Sequence, residues 1–99
     1  VDPNKVKHGK IVDEKGVTGH KGLEYEADFY ELTDNEVYVF EIKTYGDKGA
    51  VEQLLDRKLL FEAQGKKVTK MFLVCNVIEE EDKKFAEQHG ITVIAGTVV

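Results

Sequence analysis

Apolar and polar residues alternate most cleanly from Leu23 to Leu32 (LEYEADFYEL) and again from Val37 to Tyr45 (VYVFEIKTY). A period of two, rich in aromatic and β-branched residues, is the pattern of a strand with one buried face. The residues between them, Thr33-Asp34-Asn35-Glu36, read as a tight turn with Asn35 suited to positive φ, so the two runs form a hairpin. A looser alternation over Lys5–Val12 predicts a short strand before it, ended by Asp13-Glu14-Lys15-Gly16. Gly19-His20-Lys21-Gly22 then reads as a loop.

After the hairpin the period changes. Val51, Leu54, Leu55, Lys58 and Leu59 trace one face of a helix over Asp47–Gly65, which Asp47 caps and Gly65 stops. Thr69–Asn76 (TKMFLVCN) is a mostly apolar run of strand length, as expected where both faces of a sheet are covered. Glu79–His89 is a second helix with acids at its start and Gly90 at its end, and Ile91–Ala95 is a last strand. A meander followed by β-α-β-α-β implies a mixed sheet. Its first strands pair antiparallel, its later ones join through right-handed crossovers, and helices cover at least one face. The expected class is α/β.

Composition narrows this picture. The 99 residues make one domain, residues 1–99 together. With 41% hydrophobic and 33% charged residues, the chain is neither collagenous nor low-complexity nor disordered in composition. No apolar run approaches the roughly 18 residues of a membrane span, and no signal peptide is expected. One cysteine, Cys75, cannot form an internal disulfide, so a reducing cytoplasm is the expected location. Nineteen acids against fourteen bases give a net charge of −5, the wrong sign for unspecific coating of nucleic acid. A specific or metal-bridged contact to phosphate stays open.

The hairpin carries charge where apolar residues are expected. If its turn is symmetric over two or four residues, Phe29 faces Phe40 and Ala27 faces Ile42 on one side. Asp28 then faces Glu41 and Glu26 faces Lys43 on the other. Directly opposed side chains have Cβ atoms only about 4.5–5.5 Å apart, so two carboxylates in contact need water, a shared proton, Lys43 or a divalent cation between them. Mg²⁺ suits one or two carboxylates completed by water and substrate phosphate, and Lys43 projects from the same face as Glu41. The plainer account is a wet sheet edge with a surface ion pair worth under about 1 kcal/mol. Acid-x-Lys alone decides nothing, since Asp13–Lys15, Glu81–Lys83 and Asp82–Lys84 also match it.

Asp28 late in one strand, a gap of twelve residues, then Glu41-Ile42-Lys43 resembles the PD-(D/E)xK nuclease superfamily. The segment from Val51 to Ile94 resembles the helix-strand-helix-strand half of its small archaeal and bacterial members of unknown specificity. The likeness covers about residues 23 to 95. It implies a restriction-endonuclease-like mixed sheet with flanking helices, and Mg²⁺- or Mn²⁺-dependent phosphodiester hydrolysis. Asp28 and Glu41 would be the metal ligands, joined by the backbone carbonyl of Ile42, and Lys43 the catalytic lysine. Ala27 stands where Pro is common. The family's first helix is not recognisable before residue 23, so the chain is a fragment, or Glu14, Glu24 or Glu26 substitutes for that helix's acid, or catalysis is lost. Gln53 is similar to a helix Gln that contacts substrate in some nuclease subfamilies, though Arg57 stands where Tyr often follows. An ordinary solvated helix face is the plainer account of Gln53.

Other candidates are weaker. His8 and His20 lack the spacing of a zinc pair and read as surface histidines, while His89 suits the last turn of its helix. Cys75 within MFLVC reads as a small buried residue. Lys66, Lys67 and Lys70 form a basic turn, solvated or touching phosphate. The expected function is therefore a metal-dependent nuclease, with DNA as substrate, working as a two-fold homodimer so that both strands of a duplex can be cut. Tyr25, Phe29, Tyr38 and Phe40 supply aromatic surface for that dimer. The alternative is a non-catalytic nucleic-acid-binding or dimerisation domain that keeps the nuclease fold.

Overall fold

The computed structural model describes residues 2–99. A single 3₁₀ turn, Pro3–Lys5, precedes strand β1, Lys7–Val12. Strands β2 (Glu24–Glu31) and β3 (Glu36–Gly46) form the hairpin, and helix α1 (Lys48–Ala63) crosses to strand β4 (Lys67–Ile78). Helix α2 (Glu80–Gln88) crosses to strand β5 (Ile91–Val98). The order in the sheet is β1-β2-β3-β4-β5, antiparallel through β3 and parallel thereafter. This is the α/β mixed sheet that the patterning implies. β4 and β5 run longer than their apolar stretches suggested, because parallel pairing continues to Ile78 and Val98.

Each helix begins and ends for a local reason. Asp47 accepts the amide of Ala50 at 2.9 Å, so the first turn of α1 has one of its free donors satisfied. After Gln64, Gly65 takes φ 82°, and Gly90 at φ 76° follows α2. Glu80, Glu81 and Asp82 line the first turn of α2, where carboxylates meet the positive end of the helix dipole.

Both helices lie on one face of the sheet. α1 packs on β3 and β4, and α2 packs on β5 and against α1. Val37, Val39, Leu73, Val51, Leu54, Ile78 and Ala86 are at most 1% exposed between the layers. The face of α1 that is buried runs through Ala50, Val51, Leu54, Leu60 and Phe61, while Leu59, expected on it, is 44% exposed. The seam follows the sheet: Phe61 must reach Phe29 on β2, with ring centroids 5.2 Å apart. No described helix covers the other face. Tyr30 stacks on Tyr38, Tyr38 meets the edge of Phe72, and Phe40 stacks on Phe72 across it. The aromatics expected on one patch are thus divided, with Tyr25 and Phe29 under α1 and Tyr38 and Phe40 on the open face. No helix of the described residues is long and apolar enough to cross a membrane.

The hairpin closes in a register one residue away from the symmetric turn. Leu32 donates to the Glu36 carbonyl at 2.9 Å, leaving Thr33, Asp34 and Asn35 as a three-residue loop. The Thr33 hydroxyl accepts the amides of Asn35 and Glu36 at 3.2 and 3.1 Å, which folds the loop without any positive φ at Asn35. β4 then pins it, since Lys67 donates its amide to the Asn35 carbonyl at 2.6 Å and Lys66 donates its ammonium to that of Asp34.

Candidate functional site

In this register Asp28 pairs with Phe40, Phe29 with Val39 and Tyr30 with Tyr38. Asp28 therefore does not face Glu41, nor Phe29 Phe40. A shift of one residue sends every later side chain to the opposite face. Phe40 stacks on the open face, so its neighbour Glu41 belongs to the helix-covered face with Val39, and Asp28 to the open face. The expected carboxylate pair is split by the thickness of the sheet.

Asp28 is also where β2 and β3 part. Their pairing runs from Glu31–Val37 to Asp28–Phe40, whereas residues 24 to 27 of β2 pair only with β1 and β3 continues beside β4 to Gly46. The two strands make a fork, with Asp28 on its last rung and Glu41 one residue beyond. Arg57 of α1 closes over it. The guanidinium lies 5.0 Å from the Tyr25 ring centroid, and its Nε donates to the Glu26 carbonyl at 3.0 Å.

On the covered side, Glu41 keeps 19% of its side chain exposed and lies 3.8 Å from the Lys43 ammonium. Burial pushes its carboxyl above the ordinary glutamate range; the charges of Lys43 and Arg57 oppose this, and that of Asp28 adds to it. Asp28 is thus close enough to be felt through the sheet. Gln53 lies one turn before Arg57 on the same side of α1, and its Oε1 is buried without a hydrogen-bond partner. That oxygen is not on a solvated face. Ile42, whose carbonyl the resemblance implicates, is 62% exposed by its side chain on the open face.

On the open side, Asp28 is engaged by a residue read only as a surface histidine. His8 Nδ1 lies 2.5 Å from Asp28 Oδ1, and its Nε2 lies 3.6 Å from Glu26 Oε2. The hydrogen bond to Asp28, followed by that residue's charge, raises the pKa of His8 above its ordinary 6.5. Nothing in the spacing of His8 pointed to this, because the contact depends on which residue of β1 meets Asp28.

The Glu41 carboxylate on the covered face and the Asp28 carboxylate on the open face are each, chemically, donors for a hard divalent cation. Among the described residues, no three His, Cys, Asp or Glu side chains are grouped as metal ligands. Mg²⁺ asks for only one or two, with water and phosphate completing its shell.

Asp13, expected only to end β1, is the one fully buried charged side chain among the described residues. It accepts the amides of Val17 and Thr18 at 2.8 and 2.9 Å and the Thr18 hydroxyl at 2.6 Å. Burial works against its charge, yet these hydrogen bonds hold its pKa below the ordinary aspartate value. The loop after β1 is folded around this carboxylate. Cys75 is buried as expected, and burial raises its thiol pKa.

Comparison with known proteins adds no family to this geometry: no family model, curated protein or solved structure matches the chain.

Proposed function

We propose that the chain is a metal-dependent phosphodiesterase of the nuclease type, acting on DNA at the β2–β3 fork. The observation that carries this reading is Glu41, a half-buried carboxylate with a raised pKa. Lys43 lies 3.8 Å away and Asp28 is near enough to perturb it. Displaced pKa values beside a charged helper are a mark of reactive sites. Glu41 and Asp28 would hold Mg²⁺ or Mn²⁺, with the Ile42 carbonyl as a further donor. The bound cation would lower the pKa of a water and draw charge from a phosphate. Lys43 would neutralise charge that develops on the phosphate oxygens or orient the water, and Gln53 would contact substrate or the water shell. A restriction-endonuclease-like relationship is the fold-level form of the same reading, supported by the strand order and by the position of Glu41-Ile42-Lys43 on β3.

One observation favours the second reading, a non-catalytic nucleic-acid-binding or dimerisation domain. Asp28 is on the far face of the sheet from Glu41 and is tied to His8. In the first reading, Asp28 would have to leave His8 to share a cation with Glu41.

Incubation with single-stranded, duplex and branched DNA, with Mn²⁺ and with EDTA, tests both. The first reading expects Mn²⁺-dependent cleavage and a Tm raised by Mn²⁺. Asp28→Asn and Glu41→Gln should each reduce both effects. Lys43→Ala should keep the Tm shift but lose most of the cleavage, because the ammonium acts mainly on transition-state charge. No cleavage and no metal-dependent shift in the wild type would leave the non-catalytic domain.

A further inference from the structure

The two edges of the sheet are built differently. On β1, Lys7 pairs with Glu31 at 2.7 Å, His8 with Asp28 at 2.5 Å and Lys10 with Glu24 at 3.4 Å. On β5 there is no charged residue from Ile91 to Val98, and Val99 prolongs the run. The outer side of β5 is unpaired among the described residues, with Ile94 51% and Val98 43% exposed. Natural sheets guard their edges with charge, proline or bulges, and an unguarded edge is a template for another strand.

We propose that β5 pairs antiparallel with β5 of a second copy, joining the two five-stranded sheets into one continuous sheet. The reading is independent of the phosphodiesterase chemistry. Symmetry constrains the pairing. A two-fold axis normal to the sheet keeps each face on its own side, so opposed residues share a face and their numbers differ by an even count. With Ile94 on the axis, Ile94 meets its own copy, Thr92 meets Gly96 of the second copy, and Val93 meets its Ala95. This register uses Ile91–Thr97 in full.

The same symmetry selects the occupant. In a self-paired strand the residue on the axis meets its own copy and its neighbours meet one another, so a strand rich in one sign of charge sets like charges together, which destabilises the pair. β1, with its axis at Gly9, would set His8 against Lys10 of the second copy at both ends of the pair, whereas β5 brings no charge. Each copy carries −5, so two copies repel at long range and approach most favourably where neither is charged. Pairing there also extends the open-face apolar row of Ile42, Val74 and Ile94 across the axis.

Sedimentation of the wild type at tens of micromolar should give twice the single-chain mass. Amide exchange in Ile91–Val98 should slow as concentration rises. Ile94→Lys sets two ammonium groups together on the axis and should return the single-chain mass with cooperative melting retained. Val12→Lys, on the guarded edge, should keep the doubled mass. A single-chain mass for the wild type at these concentrations overturns the proposal. A doubled mass that Ile94→Lys leaves intact also overturns it, because the copies then meet elsewhere, as on the Tyr38–Phe40–Phe72 face. If Ile94→Lys does not fold, the wild-type exchange decides, and β5 protection that ignores concentration overturns the pairing.

Discussion

Burial raises the carboxyl of Glu41, so the folded chain binds a proton there more tightly than the unfolded chain does. The sign of the linkage follows. Ionising Glu41 opposes folding, and the wild type loses that part of its stability as pH rises from the ordinary glutamate value of 4.5 through the raised one. Glu41→Gln keeps the shape without the charge. It should raise Tm by a few degrees at neutral pH, and the gain should vanish below the ordinary glutamate value; thermal melts of both proteins across that range check it. At this scale the sequence was informative about which residues matter and uninformative about how they meet. Asp28, Glu41 and Lys43 stood out as charges within apolar alternation, and Glu41 and Lys43 do share a face. Asp28 was assigned to that face through an assumed turn, and its real partner, His8, comes from a strand that is distant in sequence.

The hairpin shows how one element's detail controls the site. Both strands were legible from alternation alone, since aromatic and β-branched residues with a period of two suit a half-buried sheet. Their register was not, because it depends on whether the loop spans an even or an odd number of residues. Two hydrogen bonds to the Thr33 hydroxyl and one from Lys67 on β4 select the odd loop. At the other end of β3, Gly46 is a requirement of close approach. A Cβ built there would stand 3.0 Å from Cys75 Sγ and 3.1 Å from Ile78 Cδ1. Both neighbours belong to the closed core, with Ile78 at 0% exposure, and cannot swing aside. Gly46→Ala should therefore destabilise the chain by about 1–3 kcal/mol through overpacking, measured by denaturant unfolding. The Asp47 cap beside it was visible in the sequence because capping is a local interaction.

Over the whole molecule, the two faces of the sheet have different energetic standing. Leu73 is fully buried beneath the helices, while its neighbour Phe72 lies among aromatics on the face that no described helix covers. Leu73→Ala opens a cavity in a packed layer and should cost about 3–5 kcal/mol. Phe72→Ala should cost clearly less despite the larger side chain, since water can reach the space it leaves. Urea titrations of the two variants compare them directly, and equal losses would mean that the open face is covered in solution.

Taken by itself, the sequence determined the order and type of the strands and α-helices, the Asp47 cap and the glycine stops, the mixed sheet and the identity of the charged residues on β2 and β3. Those are consequences of hydrophobic period, backbone preference and short-range hydrogen bonds, all read within a few positions of one another. Tertiary structure alone decided the hairpin register, the separation of Asp28 from Glu41, the contact of His8 with Asp28, and the placing of both helices on one face. Each of these depends on partners that are distant along the chain. The physical reason is the period of two in a strand: a single residue of loop, fixed by contacts from β4, moves a carboxylate from one side of the sheet to the other.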